Sequence, residues 1–137
     1  MKVFIDANVL IAVVNKEYPA FDACSRVLSL AADKRFTLFV STLSLGICWY
    51  FAEKKSGRTI ANEKIRLIMK HFSISDCGQK EALAAISEKK ADDFEDAIQV
   101  HSAKSSACSS IVTLNERDFY FTNLEVINPL DFLYKYV

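Results

Sequence analysis

The sequence predicts an α/β fold, a three-layer α/β/α sandwich around a short and mostly parallel sheet, and three observations support this prediction. Short apolar runs alternate along the chain with longer stretches whose apolar residues recur at helical spacing. The apolar runs are continuous rather than alternating, which is typical of strands covered by helices on both faces. Only 3 Gly and 2 Pro interrupt the 137 residues, so we expect mostly regular structure in a single domain spanning residues 1–137.

The first half of the chain is predicted to alternate strands and helices. Pro19 is placed in the first turn of a helix, where proline is well tolerated. Ser41 or Thr42 is a suitable N-cap for the next helix, and Gly57 breaks the chain after it. The predicted elements are a strand at 2–5, a helix at 8–15, a helix near Pro19, a strand at 36–40 and a helix at 42–55.

The second half continues this alternation, and crossovers through helices make neighbouring strands parallel. Asp92 or Asp93 is the expected N-cap of the helix that ends near Ser105. The predicted elements are a helix from Thr59, a short strand at 72–74, a helix at 79–89, the capped helix, strands at 111–113 and 125–127, and a last helix from Pro129.

The composition excludes several classes of function. The formal net charge is +0, so contact with RNA or DNA has to come from a local patch. The 4 cysteines form no Cys-x-x-Cys pair and only two histidines are present, which argues against a zinc site. Cys48 and Cys108 are expected to be buried thiols, which suits a reducing compartment. With no signal-peptide pattern and no apolar run of about 18 residues, we expect a cytoplasmic protein with no membrane contact.

Asp6 closes the first apolar run and has two possible roles. Aspartate is common at helix N-caps and turns, so Asp6 could simply cap the first helix. Asn8 is also a suitable cap, which would leave Asp6 free to point into a crevice at the end of the strand.

Asp93 and Asp96 lie three residues apart at a predicted helix start and should share one face, with Glu95 pointing elsewhere. Acids in a first turn complement the helix dipole, which accounts well for Asp92 and Asp93. It accounts less well for Asp96, because aspartate is a mediocre helix former once inside the helix.

Asn115 and Asp118 follow the apolar run at 111–114. Alone, they would be an ordinary polar loop. In combination with Asp6 and Asp96 they place acids or amides at several strand ends and helix starts. Because the carboxyl ends of parallel strands border one crevice, these side chains should converge there. Carboxylates in one crevice repel each other, so the cluster favours a divalent cation.

Six basic residues form the strongest positive patch, and two interpretations apply to them. They are ordinary solubilising charge on a helix pair, which we prefer, or they contact an RNA backbone beside the crevice. Trp49, Tyr50 and Phe51 lie next to the patch and are better explained as core or dimer contacts than as base-stacking residues. The patch consists of Lys54, Lys55, Arg58, Lys64, Arg66 and Lys70.

Three motifs together resemble the PIN-domain nucleases, in the order and spacing of that family and across nearly the whole chain. The late stretch Asn128-Pro129-Leu130-Asp131-Phe132-Leu133 also fits the family's ending. The motifs are Asp6-Ala7-Asn8-Val9-Leu10, Asp96-Ala97-Ile98-Gln99 and Ile111-Val112-Thr113-Leu114-Asn115-Glu116-Arg117-Asp118-Phe119.

The resemblance implies a function and a set of site residues. Asp6, Asp96 and Asp118 would be metal-site acids, Asp93 a further acid, and Asn115 an orienting polar group. The small size resembles VapC-type toxins, which are Mg²⁺- or Mn²⁺-dependent ribonucleases, usually dimeric and neutralised by a small antitoxin. An endoribonuclease with RNA as substrate, an antitoxin partner and a homodimeric state are therefore expected.

One position departs from the family pattern. The family often has a Glu about six residues after the first Ser of the helix following the second strand, and Ile47 stands there. A non-enzymatic PIN-like module that binds RNA or a partner protein is therefore an alternative, and Asp93 could compensate from the other helix. A hydrolase of small phosphoesters would need the same acids in a closed pocket. No Ser or Cys has an evident His partner, so hydrolysis by a metal-activated water is preferred over a covalent intermediate.

Overall fold

A computed structural model describes all residues, 1–137, and confirms the α/β/α architecture. Five strands form one sheet in the order β3-β2-β1-β4-β5, and every neighbouring pair is parallel. The strands are short runs of mostly apolar residues, as expected for a parallel sheet that helices cover on both faces. Their bounds are β1 Lys2–Ile5, β2 Thr37–Val40, β3 Ser73–Ile74, β4 Ser110–Val112 and β5 Glu125–Ile127.

Seven α-helices connect and cover the strands, and two short 3₁₀ helices lie at Leu30–Ala32 and Glu116–Phe119. The α-helices are α1 Ala7–Val14, α2 Phe21–Ser29, α3 Thr42–Ser56, α4 Arg58–His71, α5 Gln79–Ile86, α6 Phe94–Ser105 and α7 Pro129–Tyr136. None of them is long and apolar enough to cross a bilayer.

Strand alternation divides the core between the two faces of the sheet. Val3 and Ile5 point toward the larger cluster, which includes side chains from α1, α2, α3, α4 and α7. Phe4 points the opposite way, into a smaller cluster with Val100 of α6 and Phe119. All of these side chains are buried, so the two clusters fix α1 and α6 on opposite sides of β1.

Two local predictions at the start of the chain are wrong. The first helix begins at Ala7 with Asp6 as its N-cap, so Asn8 lies inside the helix. Pro19 precedes the second helix in a turn, and α2 begins only at Phe21. Proline also suits turns, because its ring fixes φ near the value that a turn requires.

The sheet order determines where ligands can approach. β1 lies at the centre, and the chain first adds strands on its β2 side and later on its β4 side. In open parallel sheets, a crevice opens at the carboxyl ends of the two strands where the order reverses. Here those are the ends of β1 and β4, next to Asp6 and Thr113.

Candidate active site

An acidic cleft of about 290 Å³ lies at the carboxyl ends of β1 and β4. Five carboxylates line it, and two of the other lining residues are asparagines. No serine, cysteine, histidine or lysine is present in the lining, so the cleft offers oxygen ligands and no hydroxyl, thiol, imidazole or amine nucleophile of those residues. The lining residues are Asp6, Ala7, Asn8, Ile11, Ile47, Asp93, Glu95, Asp96, Asn115 and Asp118.

Asp6 both caps a helix and lines the cleft, so the two roles considered for it coexist. Its Oδ1 accepts a hydrogen bond from the Ala7 N–H at 2.8 Å, and its Oδ2 accepts one from the Thr113 hydroxyl at 2.8 Å. The residue is 7% exposed. Burial raises the pKa of Asp6 to about 6, the two hydrogen bonds oppose this rise, and the charges of Glu95 and Asp118 add to it.

Thr113 links the polar groups around Asp6; it belongs to the motif at 111–119 but is not among the residues predicted for the site. Besides donating to Asp6, its Oγ1 accepts hydrogen bonds from Asn8 Nδ2 at 3.2 Å and from the Asn115 N–H at 3.0 Å. Asn8 Oδ1 in turn accepts from the Leu114 N–H at 3.2 Å. Thr113 is fully buried, so the network fixes the end of β4 against the start of α1.

The start of α6 brings two predicted acids to the cleft. Asp93 is the N-cap, and its Oδ1 accepts a hydrogen bond from the Asp96 N–H at 3.1 Å. Asp92, the alternative cap, does not line the cleft. Asp96 is half-buried, and burial followed by the negative charges of Asp93 and Asp6 raises its pKa to about 7. Asp96 is therefore the carboxyl group whose ionisation is least favourable in the absence of a cation.

Glu95 also lines the cleft, so the expectation that it points elsewhere is wrong. Its negative charge raises the pKa values of Asp6 and Asp96, which places its carboxylate near both. Three-residue helical spacing groups Asp93 with Asp96, but a long side chain in a first turn can still reach across the helix end. Sequence spacing alone could not show this reach.

A buried amide anchors α6 to α3 close to the site. Gln99 lies nearly one turn beyond Asp96 and is fully buried. Its Oε1 accepts a hydrogen bond from the Ser41 hydroxyl at 2.6 Å, and its Nε2 donates to Ser44 Oγ at 2.6 Å. Ser41 is also the N-cap of α3 and accepts from the Ser44 N–H. This network sets the position of Asp96 relative to the helix that carries Ile47.

Asn115 and Asp118 enter the cleft from the loop after β4, as predicted from their position. Asn115 immediately precedes the 3₁₀ helix, and its carbonyl accepts a hydrogen bond from the Asp118 N–H at 3.1 Å. The next residue, Phe119, is buried in the smaller core cluster and anchors this turn. Asp118 itself is exposed, so its carboxylate is free to turn toward a ligand.

The cleft has the chemistry of a Mg²⁺ or Mn²⁺ site but not the finished geometry of one. All of its candidate ligands are carboxylate or amide oxygens, which hard cations prefer. No lysine, arginine or histidine lines the cleft, so no basic group there neutralises its negative charges. However, no three acidic, histidine or cysteine side chains lie close enough to form a complete site. Ile47 occupies the wall where the family pattern has an acid.

The basic patch lies away from the cleft, which agrees with its interpretation as solubilising charge. None of its six residues lines the acidic cleft. Lys55 donates to the Asn15 carbonyl, and Lys54 lies over the Tyr50 ring with its Nζ 5.2 Å from the centroid. Trp49 packs between α3 and α4 and donates to Asn62 Oδ1 at 2.8 Å. Its two neighbours, Tyr50 and Phe51, are exposed rather than part of the core.

Comparison with known proteins identifies the family. A PIN-domain family model matches residues 2–117, so the chain belongs to the PIN-domain family. The matched region contains Asp6, Asp93, Asp96 and Asn115 and ends one residue before Asp118. No curated protein sequence matches the chain significantly.

Solved structures show the same fold at low sequence identity. A chain of the DNA-bound VapBC complex from Salmonella typhimurium is 17% identical with a TM-score of 0.72, covering 94% of this chain and 98% of that chain. A chain of promoter-bound VapBC2 from Rickettsia felis is 17% identical, with a TM-score of 0.71 and coverages of 93% and 98%. The Mycobacterium tuberculosis toxin VapC20, which cleaves the sarcin-ricin loop, is 16% identical with a TM-score of 0.64, covering 80% and 86%.

Proposed function

We propose that the chain is a divalent-metal-dependent endoribonuclease that hydrolyses RNA phosphodiesters in the cytoplasm as the toxin of a toxin–antitoxin pair. The observation that carries this proposal is the convergence of five carboxylates on one cleft with no basic group among them. Membership of the PIN-domain family and the similarity to a toxin that cleaves RNA support it.

The residues of the cleft have distinct roles in this proposal. Asp6, Asp96 and Asp118, with Asp93 beside them, would hold Mg²⁺ or Mn²⁺, and Asn115 would orient the scissile phosphate or a water molecule. A divalent cation bound there would neutralise the phosphodiester and activate a water for attack. Thr113 and Gln99 contribute by holding Asp6 and Asp96 in place.

The proposal is tested by incubating the purified chain with a labelled RNA hairpin and Mg²⁺ or Mn²⁺. Cleavage should depend on the metal, stop in excess chelator and fail in Asp96→Asn. A small phosphoester such as p-nitrophenyl phosphate serves as the second substrate. Preference for it over RNA would instead support a small-phosphoester hydrolase.

A PIN-like module without efficient catalysis is the second candidate function, and two observations favour it. Ile47 replaces an acid of the family pattern, and the carboxylates do not form a finished metal site. Such a module would bind RNA through the same cleft without cutting it. Retained RNA binding with no cleavage at saturating Mn²⁺ would establish this function.

We also propose an antitoxin partner and a homodimeric state. Two of the similar structures are VapBC complexes, which supports a small partner protein. The most apolar cavity, about 410 Å³ between α1, α2 and α4, is a candidate docking surface that includes Leu67, which is 56% exposed. Exposed Tyr50 and Phe51 offer a surface for a second copy. Light scattering of the purified chain measures its oligomeric state, and co-purification with the product of any adjacent short reading frame tests the partner.

A further inference from the structure

Glu95 and Ile47 stand at the same point of the cleft, one on each wall. Besides the acidic cleft, a second cavity lies along α3, and it is lined by Thr42, Leu43, Gly46, Tyr50 and Phe51. Glu95 and Ile47 are the two side chains that line both cavities. The Glu95 side chain therefore extends from α6 toward α3 and reaches the segment where the family pattern has its missing acid.

Glu95 is one of the five carboxylates that line the acidic cleft, and it follows the N-cap Asp93 and precedes Asp96 in the first turn of α6. No ion pair engages its carboxylate.

We propose that Glu95 is a metal-site carboxylate of this chain, replacing from α6 the acid that Ile47 removes from α3. This inference rests on the proposed metal-dependent function and identifies a further residue of the same site. Glu95 would hold the divalent cation either directly or through a bound water, together with Asp6 and Asp96.

An unpaired carboxylate in this position has a physical reason to bind a cation. Glu95 is exposed, so its carboxylate is accessible to a cation, and it shares the cleft with four other acids. The repulsion is costly unless a cation offsets it. The flexible glutamate side chain also allows the carboxylate to move inward when a cation binds. Such a movement is needed because the acids do not lie close enough together to hold a cation.

The test is a Mn²⁺ titration of the full chain by calorimetry, accompanied by RNA cleavage. Glu95→Gln keeps the size of the side chain and removes its charge. Asp92→Asn is the matched control, because it removes one charge beside the same helix start but lies outside the cleft. We expect Glu95→Gln to raise the Mn²⁺ dissociation constant about tenfold or more and Asp92→Asn to leave it nearly unchanged. Circular dichroism should show both variants folded.

A double variant moves the carboxylate across the cleft. Ile47→Glu combined with Glu95→Gln should bind Mn²⁺ more tightly than Glu95→Gln alone and regain part of the lost cleavage. If Glu95→Gln binds Mn²⁺ as tightly as the wild type while Asp96→Asn loses binding, the role of Glu95 is overturned. The proposed function would still stand. Absence of Mn²⁺ binding and cleavage in the wild-type chain would overturn both.

Discussion

The Thr113 hydroxyl donates a hydrogen bond to Asp6 Oδ2 at 2.8 Å, joining the ends of the two central strands. Asp6 follows β1 and Thr113 follows β4, and they are 107 positions apart in the sequence. Both side chains are buried, so this bond orients a carboxylate of the proposed metal site from a fixed position. The site therefore depends on the register of two strands as much as on its acids.

Thr113→Val tests this relationship because valine keeps the shape of the side chain and removes the hydroxyl. Asp6 Oδ2 then loses a donor, and Asn8 and the Asn115 N–H lose an acceptor. We expect a loss of about 1–3 kcal/mol in the free energy of unfolding, measured in urea, together with weaker cleavage. Thr37→Val, an exposed position on β2, is the control for strand propensity. Wild-type stability and activity in Thr113→Val would show that the network has no role.

The raised carboxyl pKa values predict an unusual dependence of stability on pH. Asp96 has a pKa of about 7 and Asp6 of about 6, both above the ordinary value of 3.8. Between about pH 4 and about pH 7 the folded chain therefore binds more protons than the unfolded chain, so these groups reduce stability as pH rises. Asp96→Asn removes one of them and should melt higher than wild type at pH 8 in chelator, and this difference should shrink as pH falls and disappear below about pH 4.

Divalent metal should oppose this loss of stability. Because Mn²⁺ competes with protons for the same carboxylates, it should raise the melting temperature of the wild-type chain more at pH 8 than at pH 5.5. Asp96→Asn should lose most of this stabilisation. An equal rise in the variant and the wild type would indicate that Mn²⁺ binds outside the cleft.

Gln99→Leu tests the anchor between α6 and α3. The substitution keeps a side chain of similar size at this buried position but removes the amide that accepts from Ser41 and donates to Ser44. We expect unfolding in urea at a lower midpoint, equivalent to about 1–3 kcal/mol. Gln79→Leu, on the exposed start of α5, should change stability far less. If Gln99→Leu is as stable as Gln79→Leu, Gln99 does not anchor α6 to α3.

Arg117 lies beside the acidic cleft and is expected to contact the RNA backbone. It lines a neighbouring cavity with Asn115 and Asp118, is exposed, and takes part in none of the three ion pairs. Arg117→Ala should weaken RNA binding and lower the slope of log affinity against log salt by about 1. Arg66→Ala, in the basic patch on α4, is the matched control. A larger loss of RNA affinity in Arg66→Ala would indicate that RNA contacts the basic patch instead.

The sequence predicted the layers of the fold and the approximate bounds of most elements, because continuous apolar runs and helical periodicity both reflect burial. It also predicted which loops and helix starts carry the acids, since parallel strands share one carboxyl edge. Pro19 was misplaced because proline suits both a turn and a first helical turn, and the residue type alone does not distinguish them. Glu95 and Gln99 were missed as site components for a related reason. The reach of Glu95 and the long-range partners of Gln99 depend on how α6 packs against α3, which spacing along one helix does not report.

The most direct test of the central claim is cleavage of a labelled RNA by the wild-type chain, Asp6→Asn and Asp118→Asn in the presence of Mg²⁺ or Mn²⁺. Circular dichroism confirms folding, and exposed Asp118 makes the second variant the milder change. We predict metal-dependent cleavage by the wild type, abolished in both variants and in excess chelator. Robust cleavage by either variant, or equal cleavage in chelator, would contradict a metal-dependent nuclease at this cleft.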